Sequence, residues 1–199
     1  MTQIAGLVAL ASLAVVVAAL AYLHIAPTGL SPLRNAVSQY GITPYRLGYR
    51  VATIAFALAA VALAVGLASG AGAHEQASLV VALLVLFALT RALVSWFPMD
   101  APGRTRTRTG ARHGLLAITT FLAIALAALR LGTVLHAGTH WHSLAGVSTG
   151  LGWAMIAGLL VMLAARSIPA IAARFGAIER GFYVLAIAWS VVFAVAFAG

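Results

Sequence analysis

Cysteine is absent from this chain, which excludes disulfides, thiolate metal sites and cysteine nucleophiles in one step. Lysine is absent as well. The formal charge of +9 therefore rests on twelve arginines set against Glu75, Asp100 and Glu179. So few acids disfavour proton-coupled transport and carboxylate acid–base catalysis, which normally need intramembrane Asp or Glu. Charged residues make up only 8% of the chain, against about 25% in an ordinary soluble domain. What takes their place is apolar: 63% of residues are hydrophobic and the mean hydropathy is +1.07. No water-soluble core hides that much apolar surface. The chain reads as an all-α, polytopic membrane protein, a single six-helix transmembrane domain over 1–199 that leaves no room for a soluble one.

Apolar runs lie near 4–23, 51–69, 77–97, 114–131, 146–165 and 181–198, each close to the roughly 20 residues that cross about 30 Å of hydrocarbon. The first contains Ala19-Leu20-Ala21, the small-x-small form of a signal-peptide cleavage site. It lacks a positive n-region and is long enough to span, so it reads as a retained helix. Arginine placement sets the orientation. Arg34, Arg46 and Arg50 follow the first run, Arg104, Arg106, Arg108 and Arg112 the third, and Arg166, Arg174 and Arg180 the fifth. The loops after the second and fourth runs hold none, and Arg130 sits at the end of the fourth run. Basic loops stay on the cytoplasmic side during insertion. Loops one, three and five are therefore expected in the cytoplasm, with both termini outside a plasma membrane. Because the arginines are divided among apolar runs, nucleic acid is not an expected partner. The alternating Arg104-Thr-Arg-Thr-Arg108 string suits attraction to anionic membrane lipid, worth about 1 kcal/mol per arginine near the surface.

Loop one, residues 24–49, is long for so economical a chain, and long loops tend to be functional. Pro27 and Gly29 turn the chain out of the first span. Ser31 is placed to cap a short helix over about 32–40, with Pro32 at its favoured first position. Leu33, Val37 and Tyr40 would share its apolar side, which predicts that loop one folds back over the ends of the bundle. A similar stretch, Ile168 to Ile178, follows the fifth span.

Polar residues collect at the same ends. His24 closes span one, Ser38 lies in loop one, Asp100 follows Trp96-Phe-Pro-Met99, and His113 opens span four. Asp100 is placed to orient a histidine, bind a metal or pair with Arg91 or Arg104. Arg91, roughly two turns inside span three, demands a partner: it either snorkels to the interface or contacts a lipid phosphate or substrate carboxylate. His24 and His113 are a candidate ligand pair for haem or a metal. On the opposite side, His136, His140 and His142 fall within seven residues, with His74 and Glu75 in loop two. That grouping is able to reach zinc or copper if the segment turns.

The string Gly29-Leu-Ser-Pro-Leu-Arg-Asn-Ala-Val-Ser-Gln-Tyr-Gly41, followed by Phe97-Pro-Met-Asp100 and His113, resembles the bacterial integral-membrane family known as domain of unknown function 998. The resemblance implies a six-span layout, with Ser31, Ser38, Tyr40, Gly41, Asp100 and His113 as family-type positions, and implies no activity. Two functional expectations follow. In one, the protein binds a membrane lipid or other apolar ligand, or serves a membrane-protein partner, through a cytoplasmic-side pocket under loop one that involves Arg91, Arg34, Ser31, Tyr40 and His24. In the other, it is a small membrane-embedded hydrolase-like enzyme, metal-dependent or not, that uses Asp100 and His113 as an acid–base or metal-binding pair and Ser38 as contact or nucleophile.

Overall fold

A chain that crosses hydrocarbon has to satisfy every backbone N–H and C=O within itself, so uninterrupted runs of Ala, Leu and Val become helices. The computed structural model describes residues 1–70, 75–137 and 141–199. Among these residues seven α-helices follow in order: α1 Thr2–Ile25, α2 Arg46–Gly70, α3 Glu75–Leu93, α4 Arg108–Ala137, α5 Ala145–Ala164, the single turn α6 Pro169–Ala172, and α7 Phe175–Ala198. No strand occurs among the described residues. Among the described residues six helices, all but α6, are long and apolar enough to span a membrane, and the chain is a multi-pass integral membrane protein.

Helices adjacent in sequence pack side by side, and α7 closes the ring by packing against both α1 and α5. One end of the bundle gathers the end of α1, the start of α2, the end of α3 and the starts of α4 and α7, together with loop one. This is the arginine-rich end. At the other end Gly6 of α1 meets α7, where a Cβ would stand 2.5 Å from the Ala198 nitrogen; only glycine lets these two backbones approach so closely. The interior is built on Phe56, Phe87, Trp189 and Phe193, all nearly inaccessible. A polar tie across three helices runs through Ser148, which donates to the Ala128 carbonyl (2.7 Å) and accepts from the Trp189 indole N–H (2.9 Å). Large apolar side chains such as Leu7, Trp153 and Leu160 point outward, where lipid rather than water is the solvent.

The helices outrun the apolar windows read from the sequence. α2 begins at Arg46, α4 at Arg108 and α7 at Phe175, several residues before positions 51, 114 and 181. Hydropathy falls at the first charge, but backbone hydrogen bonding continues through it into the interface. Loop one also differs from expectation. In place of a helix over 32–40 there is a turn after Ser31 and then a six-residue 3₁₀ segment, Val37–Ile42. The Asn35 side chain captures the Ser31 N–H at 2.7 Å, a local bond that competes with helix formation.

Candidate functional site

Three residues of α7 fasten loop one to the bundle, and the first, Ala177, donates its N–H to the Leu33 carbonyl at 3.0 Å. Glu179 Oε2 accepts a 2.7 Å hydrogen bond from the Val37 backbone N–H. Arg180 supplies the remaining bonds. Its Nη1 donates to the carbonyls of Pro32 (2.7 Å) and Asn35 (2.8 Å), and within its own helix to Gly176 (3.0 Å). Its Nη2 donates to the Tyr40 hydroxyl (3.1 Å), and its Nε to His24 Nε2 (2.7 Å). An arginine Nε always carries its proton, so His24 accepts at Nε2 and its own proton sits on Nδ1, donated to the Leu20 carbonyl at 2.6 Å. Gly176 makes the approach feasible: a Cβ there would stand 2.5 Å from both the Pro32 and Asn35 oxygens.

The loop's own side chains fill the space beneath it. Val37 and Tyr40 are each 1% exposed and Gln39 is buried, whereas Leu33 stays 64% exposed. Leu33 is therefore not part of the buried face that its spacing predicted. Gly41 lies so close over Tyr49 that a Cβ would meet the ring at 2.9 Å.

Arg91 does not snorkel. It is 3% exposed, with its guanidinium carbon 4.8 Å from the Tyr183 ring centroid and 5.8 Å from that of Phe56. Its other polar company is the Tyr49 phenol and the Glu179 carboxyl. Neither Nε nor Nη2 finds an acceptor among the described residues. Buried polar atoms without partners are uncommon in proteins, and here they belong to a charged group. Gln39 Oε1 and Ser95 Oγ are buried and unpartnered in the same way.

Asp100, His113 and Ser38 each engage a different group. Asp100 accepts from the Thr107 hydroxyl (2.6 Å) and the Thr107 N–H (3.0 Å). Thr107 in turn caps α4 by accepting from the Gly110 N–H at 3.0 Å. The Thr107 hydroxyl foremost, then its N–H, with Arg106 adding to them, holds the Asp100 carboxyl below the usual carboxylate range. A side chain at position 110 would collide with that carboxylate, so Gly110 and Asp100 form one capping unit. His113 is buried with Nδ1 2.7 Å from the Phe97 carbonyl. The Ser38 hydroxyl donates to the Met99 sulfur at 3.2 Å. Asp100 and His113 tie the junction of α3 and α4 together, Ser38 joins it to loop one, and among the described residues no hydrogen bond joins any two of the three. Ser31 belongs to the turn described above.

At the opposite end the His136 and His142 rings lie perpendicular, with centroids 5.6 Å apart. His74, His140 and the Glu75 side chain lie outside the described residues. Among the described residues no group of three or more metal-ligating side chains converges.

Open space is found at the flank of loop one. A cleft of about 580 Å³ is lined by Leu33, Arg34, Ala173, Arg174 and Ala177. A second, of about 830 Å³, shares Ala173, Arg174 and Ala177 with it and continues along Val161, Ile171 and Ile178. Arg34 and Arg174 are exposed. A third cleft, of about 660 Å³, lies between α1 and α2 and is almost wholly apolar, with Val15, Ala18, Tyr22 and Val51 among its walls.

Sequence reading did not anticipate Glu179, Arg180, Tyr49 or Tyr183 as parts of this region. The one signal available was Glu179 itself, one of three acids in the chain and set beside an arginine at the edge of an apolar run.

Compared with known proteins, residues 7–196 match one family model, described as "Protein of unknown function (DUF998)". No curated protein and no solved structure matches the chain.

Proposed function

This chain belongs to the DUF998 family of proteins of unknown function, and from that premise we propose that it is a binding protein for an anionic, two-part lipid. The headgroup sits between Arg34 and Arg174 and the chain lies along the groove of α5, α6 and α7. One observation carries the reading: the two clefts beside loop one share Ala173, Arg174 and Ala177, which joins an exposed arginine pair to an apolar channel. Volumes of about 580 and 830 Å³ fall in the range of roughly 300–1,000 Å³ usual for small-molecule sites. Arginine matches phosphate through its planar fork, and the apolar walls match acyl methylenes.

The test is native mass spectrometry of the full chain released from nanodiscs containing equal dioleoyl phosphatidylglycerol and dioleoyl phosphatidylcholine. The anionic lipid should be retained preferentially. Changing Arg34→Gln and Arg174→Gln together should lower that preference by about tenfold or more, given about 1 kcal/mol for each arginine facing anionic lipid. Equal retention of the two lipids, or a preference the double variant leaves intact, would overturn the reading.

The same proposal places the arginine-rich end at the cytoplasmic face of the plasma membrane, with both termini outside, following the positive-inside bias. A lone cysteine at Thr105→Cys in this otherwise cysteine-free chain should react with an impermeant maleimide only after the cells are permeabilised. Labelling in intact cells would reverse the orientation.

A further inference from the structure

We propose a second site inside the arginine-rich end: Arg91 is the anchor of a buried oxyanion site, roofed by loop one, that takes the phosphate or carboxylate group of a ligand. Nε and Nη2 lie on the same edge of the planar guanidinium, and both are buried without an acceptor among the described residues. That edge is the one arginine uses for two parallel bonds to two oxygens of a carboxylate or phosphate. The guanidinium carbon stands over the rings of Tyr183, at 4.8 Å from the centroid, and Phe56, at 5.8 Å. These contacts confine the guanidinium among aromatic rings, and its two-donor edge is the part left to receive a ligand.

Charge points the same way. Among the described residues Glu179 is the carboxyl that acts on both Arg91 and Arg180, and its Oε2 is already bound to the Val37 N–H. The two guanidiniums have at most this one negative charge between them, so the neighbourhood carries positive charge in excess. A buried cation within a membrane needs compensation, and an oxyanion on the Arg91 edge supplies it. A third donor is available. Ser95 follows Arg91 by four residues, about one helical turn, and its hydroxyl is also buried and unpartnered.

Loop one is the roof. Its Gly41 lies on the Tyr49 ring, Tyr49 is a partner of Arg91, and Val37 is held by Glu179. An anion therefore enters when the α7 fastening lets the loop rise. This site is separate from the groove between Arg34 and Arg174 and does not depend on it. Inorganic phosphate has no chain to lie in that groove, so its binding reports on Arg91 alone when an Arg91 variant is the control.

The experiment is calorimetric titration of the full chain in detergent, at constant ionic strength, with inorganic phosphate, acetate and dihexanoyl phosphatidate as separate probes. At least one probe should bind saturably. Arg91→Lys, which keeps the charge but loses the fork, should weaken that binding tenfold or more, and Glu179→Gln, which removes the competing carboxylate, should tighten it several-fold. Binding of phosphate or acetate identifies a free anion as the ligand type, and binding of the phosphatidate alone identifies a lipid headgroup; either supports the site. Absence of saturable binding by all three probes overturns it, and so does binding that Arg91→Lys leaves unchanged, since that would mark an adventitious ion only on surface arginines. If Arg91→Lys does not fold, Glu179→Gln and Ser95→Ala decide, and unchanged affinity in both overturns the proposal.

Discussion

Changing Arg180→Ala should release loop one from the bundle and make its buried face reactive. A cysteine introduced as Val37→Cys reports on this directly, because Val37 is 1% exposed in the fastened loop and the chain has no other thiol. In the Arg180 background its maleimide reaction should accelerate by tenfold or more. The magnitude follows from the bonds removed. Arg180 donates to the Pro32 and Asn35 carbonyls, the Tyr40 hydroxyl and His24, and hydrogen bonds from a charged donor contribute about 1.5–3 kcal/mol each when buried. The side chain is only half-buried, so water replaces part of that. Loss of even one such bond shifts the open fraction about tenfold. Arg180→Lys separates geometry from charge: a single ammonium cannot span three loop acceptors and His24, so labelling should stay fast. Labelling as slow in Arg180→Ala as in the parent would show that the loop is held without Arg180, by the packing of Val37 and Tyr40 and the bonds to Glu179 and Ala177.

The same residue shows how far the sequence could be read. Six helices were legible because hydrocarbon imposes one solution on long apolar runs. Their ends were less legible, because Arg46, Arg108 and the α7 residues before 181 lie in the interface where hydropathy falls while the helix continues. Loop one was legible as a segment that packs, through Val37 and Tyr40, but not as a 3₁₀ turn, since that depended on the Asn35 side chain claiming the Ser31 N–H. Arg91 was legible as a charge in need of company. Its company was not, because Tyr183 and Glu179 lie on a helix about ninety positions away. Glu179 and Arg180 reach partners 142 and 156 residues distant, and a single sequence carries no sign of which distant turn will arrive. Asp100, read as a member of a polar site, is instead bound by Thr107, seven residues away. A carboxylate at the head of a helix satisfies itself locally before it reaches across a bundle.

Glu179 sets the largest stability effect expected in the molecule. It is 4% exposed, its Oε2 holds the Val37 N–H, and Arg91 and Arg180 both act on it. Glu179→Ala leaves a buried N–H unpaired and removes the carboxylate that acts on both Arg91 and Arg180. A buried N–H left unpaired costs about 1–3 kcal/mol, and loss of the carboxylate's charge beside two arginines adds to it, so this variant should melt well below the parent in detergent. Glu179→Gln keeps an acceptor for Val37 and loses only the charge, and should fall between the two. A further comparison isolates the electrostatic part. Arg91→Leu combined with Glu179→Leu removes both charges, and the pair should be less damaging than the two single changes added together, with a coupling of about 0.5–3 kcal/mol. If Glu179→Ala instead melts with the parent, the carboxylate is not what balances the two arginines, and both the fastening of loop one at Val37 and the excess positive charge at Arg91 lose their basis.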